Sequence, residues 1–315
     1  MQRYLAGRLL ALIPVLLGIL TVVFLLIRLI PGDAIQLFLG TQVEMTPAQM
    51  AELRRVFGLD KPIGLQYLEY LSRVVRGNFG VSLRTARPVL SDILARLPVS
   101  FELTVIALVI AVVIALPLGA LSALLRNSGL DVGARLGGLL GLSIPNFWLG
   151  TMLILIVSRY LRVSIGEYVS FTVDPLHNLE IMLLPGISLG IAIAAVLMRY
   201  MRSSLLEVLG QEYVRTARSK GLREALVVAH HALPNALIPV ITVIGFQMGY
   251  LLGGTVVIEE IFALPGMGRL ALNAIFQRDY PLVQGVVLVI ALLFVLTNLL
   301  VDILYAWIDP RIRYG

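Results

Sequence analysis

Long apolar stretches alternate with polar segments along the whole chain. Six of these stretches are nearly free of charged residues through their centres, and they cover residues 9–30, 101–125, 137–158, 181–201, 233–257 and 282–307. A bilayer core about 30 Å thick requires about 20 apolar residues per spanning helix, and within lipid a helix satisfies its own backbone hydrogen bonds. The pattern therefore predicts an all-α membrane protein with six transmembrane helices.

The composition supports this prediction. Of the 315 residues, 58% are hydrophobic and 14% are charged, whereas about a quarter of the residues in an ordinary soluble domain are charged. The net charge of +6 is typical of basic residues retained on the inner side of a membrane, and we predict no nucleic-acid partner. The first apolar run is longer than the core of a secretory signal, so we interpret it as a retained span.

The distribution of arginine and lysine predicts the orientation. If both termini are cytoplasmic, the inner segments carry more of these residues than the short outer loops, in agreement with the positive-inside rule. The chain then divides into three parts. Residues 1–30 form the cytoplasmic N-terminus and the first helix, residues 31–98 form an extracytoplasmic helical segment, and residues 99–315 form a core with the other five transmembrane helices.

The extracytoplasmic segment contains three amphipathic patterns. A helix begins at Thr46, whose hydroxyl caps free backbone N–H groups, a second helix covers residues 62–76, and a third covers residues 88–97. The predicted apolar face of the second helix consists of Leu65, Leu68, Leu71 and Val75. The three helices either form a small cap over the spans or lie flat in the membrane interface, and the sequence leaves both arrangements open.

Residues that would support catalysis or bind a metal are scarce. The chain has no cysteine and three histidines, which argues against a thiolate or histidine-rich metal site. Neither lysine, Lys61 or Lys220, follows the glycine-rich run of a phosphate-binding loop. Few charged residues lie near the span centres, where a proton-coupled carrier needs them. We therefore predict no enzyme activity, no cofactor and no metal in this chain, and we expect partner proteins to supply the energy for transport.

The cytoplasmic segment at about 202–232 is longer than a simple connection requires. Ser204 and Glu207 match a capping box, which predicts a helix beginning there and ending near Lys220. Gly221 permits a chain reversal, and a second helix then leads into the fifth span. Two interpretations remain open from the residues alone: a rigid, positively charged docking element, or a helix pair that binds anionic lipid at the membrane surface.

Small residues recur along the fifth span. Gly245, Gly249 and Gly253 follow one another at a spacing of four residues, which allows another backbone to approach closely. Together with Gln247 and Tyr250 they are candidates for a transport pathway or a subunit seam. Packing within the chain itself is the alternative.

Residues 212–222 (EYVRTARSKGL) are similar to the cytoplasmic loop of permeases from binding-protein-dependent ABC importers. Further similarity to the dipeptide, oligopeptide and nickel branch of that family, as its B-type subunit, extends along essentially the whole chain. It involves the segments 26–33, 57–62, 77–80, 144–150, 264–269, 278–281 and 309–313.

The resemblance implies a type I ABC importer permease fold in a bacterial or archaeal plasma (inner) membrane. It also implies several partners: a homologous second permease subunit, two ATPase subunits that use ATP and Mg²⁺, an extracytoplasmic solute-binding protein, and the surrounding membrane lipid. The residues that it places in ATPase coupling are Glu212, Tyr213, Arg215, Thr216, Ala217, Arg218, Gly221 and Leu222.

The expected substrates are dipeptides or oligopeptides. Nickel chelates, sugars or opines are alternatives within the same family. A proton-coupled secondary carrier is an alternative from another class, and it would require an essential carboxylate in the middle of the membrane.

Overall fold

The computed structural model describes residues 2–28, 46, 48–49, 52, 55, 60–161 and 166–308. Within this part of the chain the regular structure is helical, apart from an isolated bridge between Val81 and Pro88. The helices are α1 (Gln2–Arg28), α2 (Ile63–Val75), α3 (Val89–Leu124), α4 (Gly129–Ser143), α5 (Asn146–Ile156), α6 (Pro175–Leu209), α7 (Glu212–Ser219), α8 (Glu224–Leu226), α9 (Leu233–Gly254), α10 (Val256–Ile261), α11 (Met267–Phe276) and α12 (Tyr280–Ile308).

Four helical stretches are long and apolar enough to cross a membrane: Val89–Leu124, Pro175–Leu209, Glu224–Gly254 and Tyr280–Val301. Helices α4 and α5 together give a fifth candidate, but they meet at an angle of 98°. The prediction of one continuous helix over residues 137–158 was therefore wrong. The cause is Pro145, whose ring disfavours the helical conformation of the preceding residue. Ile144 accordingly adopts an extended conformation with ψ of 121°.

The chain divides into two compact units. The larger unit is built from Val99–Leu264 together with the chain from Leu296 onward, and the smaller unit from Gln2–Pro98 and Pro265–Val295. The predicted domain limits at residues 30 and 98 stay predictions.

Helix α6 is the central element of the larger unit. It packs against α4, α5 and α9, and 67% of its most apolar stretch is buried within the protein, compared with 33% for the stretch that contains α9. The α6 side chains Met182, Leu197, Met201 and Leu205 are fully buried. The less buried helices leave apolar surface free for lipid or for partner subunits.

The smaller unit contains the first helix and most of the described residues of the predicted extracytoplasmic segment. Thr46 caps a helix as predicted, because the backbone N–H of Gln49 donates to its hydroxyl and Gln49 Oε1 accepts from the Thr46 backbone. The rest of that predicted helix lies largely outside the described residues, as do residues 29–33, 57–59 and 309–313 of the family-like segments. Helix α2 agrees with the predicted helix at 62–76.

The predicted apolar face of α2 was mostly wrong. Leu65, Leu68 and Val75 are exposed. The inward face consists instead of the buried Tyr70 and the partly buried Tyr67, Leu71 and Val74, which pack in one cluster with Leu20 and Phe24 of α1. These four residues are also spaced as one helical face, and two aromatic rings bury more apolar area there than leucines would.

The third predicted extracytoplasmic helix is not separate. Residues 89–97 form the first turns of α3, which continues through Pro98 to Leu124. In the smaller unit Val89 and Ile93 are almost completely buried, in a cluster with Leu282 and Val286. This packing stabilises the helical conformation on the N-terminal side of the proline, where proline sequence rules alone suggest a break.

Candidate functional site

The predicted cytoplasmic segment forms two short helices joined by a turn. We call residues 210–226 the knuckle; it contains α7, the turn at Gly221 and α8. The predicted capping box was wrong, because Ser204 and Glu207 lie inside α6, which continues to Leu209. Helix α7 begins instead after Gln211. This residue has an extended backbone conformation, with ψ of 149°.

An apolar underside holds the knuckle to the protein. Val214 and Ala217 of α7 are buried against Val227, and Val208 and Leu209 at the end of α6 pack around them. Because these residues form a closed cluster, α7 is attached to the end of α6 through side-chain packing as well as through the chain. The predicted coupling residue Ala217 lies in this cluster, so its small side chain contributes to the attachment rather than to the exposed surface.

The other predicted coupling residues lie on the outer surface of the knuckle. Two ion pairs order this surface: Arg215 Nη1 lies 2.8 Å from Glu212 Oε1, and the Arg218 guanidinium donates two hydrogen bonds to the Glu224 carboxylate, at 3.0 and 2.6 Å. The second pair joins α7 to α8 across the turn. The Glu224 carboxylate raises the pKa of Arg218 above its usual value.

Two apolar side chains stand beside these charges. Tyr213 is 43% exposed and Leu222 is 41% exposed. The hydroxyl of Thr216 donates a hydrogen bond to the backbone carbonyl of Glu212, one turn earlier in α7. An exposed surface that combines ordered charges with an aromatic and an aliphatic side chain is suited to contact with another protein.

Gly221 allows the turn between the two helices. Its φ is +79°, a left-handed conformation that residues with a Cβ adopt at a cost. A Cβ built at this position would meet no atom within 4 Å. Glycine is therefore required for its backbone conformation, as predicted, and not for lack of space.

A buried ionic cluster at the ends of α3, α4 and α6 was not foreseen from the sequence. Asp131 is completely buried. Its carboxylate accepts two hydrogen bonds from Arg202, at 2.8 and 2.9 Å, and further ones from the Ser122 hydroxyl and the Asn127 backbone. Arg135 approaches the same carboxylate at 3.4 Å. Arg202 lies on α6, seven residues before the end of this helix at Leu209. The cluster therefore connects the last turns of α6 to the α3–α4 connection.

Two further carboxylates of the larger unit have polar partners. The Tyr168 hydroxyl donates to Glu102 at 3.0 Å. Burial is the main cause that raises the pKa of Tyr168 to about 12, and the hydrogen bond to the Glu102 carboxylate is the second cause. Glu259 is completely buried and accepts from the Ser100 and Thr255 hydroxyls. Within the described residues no group of three or more His, Cys, Asp or Glu side chains could hold a metal ion.

The candidate pathway residues of α9 do not share one environment. Gly245 and Gly249 are buried, Gln247 is partly exposed, and Tyr250 and Gly253 are exposed. A Cβ at Gly245 would clash with the Val301 side chain of α12. At Gly245 the small residue thus serves packing within the chain, which was the alternative to a pathway or subunit seam.

Replacing Gly245 by valine is expected to destabilise the larger unit, because overpacking a filled contact costs about 1–3 kcal/mol. Thermal unfolding of the purified protein in detergent would measure the loss. Adding Val301→Ala should restore part of it, whereas Gly253→Ala, at an exposed position of the same helix, should change little. Equal stability of the Gly245→Val variant and the unmodified protein would contradict the contact.

Two family models match the chain. "Binding-protein-dependent transport system inner membrane component" matches residues 115–314, and the N-terminal membrane component of the same transport systems matches residues 1–104. The chain is 43% identical over 316 residues to the glutathione transport system permease protein GsiC of Pectobacterium atrosepticum, and 41% identical over 335 residues to the dipeptide transport system permease protein DppB of Alkalihalophilus pseudofirmus. Both alignments cover 100% of each chain.

A solved structure has a similar fold. It is described as a crystal structure of an amino acid ABC transporter with histidines, and it matches with a TM-score of 0.52 at 14% identity. The match covers 70% of this chain and 94% of the other. At this identity the similarity concerns the fold alone.

Proposed function

The chain belongs to the family of binding-protein-dependent transport system inner membrane components, and from this premise we propose that it imports short peptides as one of two permease subunits. As a member of this family it is a multi-pass inner-membrane permease subunit of an ABC transporter and not the catalytic subunit. The finer assignments that follow concern its substrate, its topology and its mode of coupling.

Short peptides are the proposed substrates. The observation that carries this proposal is the end-to-end similarity, at 41–43% identity, to permeases named for glutathione and for dipeptides. Glutathione is itself a tripeptide, so both names describe small peptides with free carboxylates. Nickel chelates, sugars and opines remain alternatives for the same fold.

Six transmembrane helices with both termini in the cytoplasm are the proposed topology. The four candidate spans and the bent pair α4–α5 would give five crossings. We assign the sixth to α1, a helix of 27 residues whose apolar stretch Leu10–Leu25 is shorter than the other spans. An even number of crossings places both termini on one side, and the arginine distribution favours the cytoplasm. The localisation is the plasma membrane of a bacterium or archaeon, where a solute-binding protein delivers substrate from outside.

The knuckle is the proposed contact with the ATPase subunits. Its exposed residues Glu212, Tyr213, Arg215 and Leu222 would contact an ATPase subunit, while the buried cluster around Val214 transmits movement to α6. Closure of two ATPase subunits on ATP then moves α7 and the end of α6 together, as a rigid element. This chain binds no cofactor in the proposal, and ATP with Mg²⁺ belongs to the partners.

Reconstitution of the complete transporter tests the proposal. This chain, its second permease and two ATPase subunits are placed in liposomes containing ATP and Mg²⁺, and uptake of labelled dipeptide and of glutathione is measured with the binding protein outside. We expect uptake of at least one of them that requires both ATP and the binding protein. Uptake restricted to nickel chelate or sugar would overturn the peptide assignment, and proton-driven uptake by this chain alone would overturn the coupling.

A further inference from the structure

The smaller unit contains a cavity of about 470 Å³. Its walls come from α2, the loop that follows it and the first turns of α12, and they include Tyr70, Arg73, Asn78, Phe79, Leu83 and Leu288. Cavities of about 300–1,000 Å³ accommodate small molecules. The family resemblance and the proposed transport cycle assign no role to this space.

An unsatisfied hydroxyl lies at the wall of the cavity. Tyr70 is 8% exposed, and its hydroxyl oxygen is buried without a hydrogen-bond partner among the described residues. Burial raises the pKa of Tyr70 to about 12. Tyr67, one turn earlier on α2, shows the usual arrangement, because its hydroxyl shares a 2.7 Å hydrogen bond with Thr21. A buried polar group without a partner destabilises the empty protein, and an occupant that bonds to it recovers that loss.

The charge at the cavity wall is positive. Arg73 is the one charged residue among those that line the cavity, all of which lie in the described part of the chain. Asp279 lies close behind the wall, but its carboxylate accepts from the Ser82 hydroxyl and from the backbone N–H groups of Leu83 and Leu282. The Asp279 carboxylate therefore already has donors. Arg73, which is exposed to solvent, supplies the remaining charge at the cavity wall.

We propose that this cavity binds a small amphiphilic anion. One carboxylate or phosphate of the ligand pairs with Arg73, an oxygen of the ligand bonds to the Tyr70 hydroxyl, and an apolar body packs against Val74, Phe79 and Leu288. An arginine presents several donors to such an oxyanion. Two sources have this chemistry: a short apolar peptide with a free C-terminal carboxylate, and an anionic phospholipid.

Binding measurements on the complete transporter in nanodiscs of zwitterionic lipid test the charge. The probes are labelled N-acetyl-leucyl-phenylalanine, a monoanion, with its C-terminal amide as the uncharged control, and dioctanoyl phosphatidylglycerol, with the zwitterionic dioctanoyl phosphatidylcholine as its control. We expect Arg73→Gln to weaken binding of one charged probe by about tenfold or more. Arg76→Gln, at an exposed position at the end of α2, should leave it unchanged. The probe that responds identifies the source.

Two tyrosine variants test the hydroxyl. Tyr70→Phe should raise the unfolding temperature of the unliganded transporter, because it removes an unsatisfied hydroxyl. The same change should weaken binding of the charged probe about three- to tenfold. Tyr67→Phe should lower the unfolding temperature, because it breaks the bond to Thr21, and should leave probe affinity unchanged. The proposal is overturned if neither probe depends on Arg73, or if Tyr70→Phe binds as tightly as the unmodified protein. Uptake of peptide can persist in either case, so this result is independent of the transport assignment.

Discussion

Replacing Gly221 by valine should reduce ATP-driven uptake by about tenfold or more while the protein still inserts into the membrane. Valine at a φ of +79° is a strained conformation that costs on the order of 1–3 kcal/mol, or about one to two powers of ten in an equilibrium. The chain would relieve the strain by changing the turn, which separates Arg218 from Glu224 and redirects α7. The measurement is uptake in proteoliposomes, with the amount of inserted protein determined in the same preparation.

Gly221→Asn is the matched control for this prediction. Asparagine adds a side chain of similar size at a position where a Cβ meets nothing within 4 Å, yet it tolerates the left-handed conformation. It should keep most of the uptake. A second control, Gly210→Ala, alters a glycine of the same knuckle that has a φ of −83°. Normal uptake by Gly221→Val would refute the proposed role of the turn, and equal loss in the asparagine variant would show that the docked surface tolerates no side chain there.

Asp131→Asn should cause the largest loss of stability among the changes considered for the larger unit. The substitution keeps the size of the side chain but leaves the mostly buried Arg202 guanidinium without its counterion. Breaking a buried ion pair from one side costs about 3–5 kcal/mol, and the 20% exposure of the Arg202 side chain favours the lower end of that range. Thermal unfolding of the purified protein in detergent would measure the loss.

The double variant Asp131→Leu with Arg202→Met should recover much of that stability, because replacing both partners by apolar groups leaves no isolated charge. Glu69→Gln provides the comparison for an exposed pair. Lys61 and Glu69 are about 40% exposed, so that change should cost less than about 1 kcal/mol. If Asp131→Asn were as mild as Glu69→Gln, the buried cluster would not contribute to stability as its geometry indicates.

The long helices could be predicted from the sequence because their signal is local. Runs of apolar residues define a span without reference to any other part of the chain. The bend before Pro145 could also have been predicted, since a proline restricts the conformation of the residue before it. The apolar run continues across the proline, however, and suggested one uninterrupted helix. Helix α6 shows the opposite case, in which Ser204 and Glu207 match a cap although the helix passes through them.

The candidate site was predictable only in part for the same reason. Gly221 carries its own backbone preference, so its turn could be inferred. The partner of Asp131 lies 71 residues away in Arg202, and nothing in either local sequence indicates that the two meet. The face of α2 and the unsatisfied Tyr70 hydroxyl likewise depend on which side of the helix contacts α1. Such pairings follow from tertiary packing and not from spacing.

The helix that leads from the knuckle into α9 contains a π turn at Val227–Ala232. A π turn holds one residue more than the α-helical turn that it replaces, and it is equivalent to an insertion of a single residue. Deleting one residue between 227 and 232 would therefore allow an uninterrupted α-helix. Each residue turns an α-helix by about 100°, so the shortened chain would turn Val227 away from Val214 and Ala217, against which it packs. The length of this connection, counted in single residues, thus keeps α9 in register with the apolar underside of the knuckle.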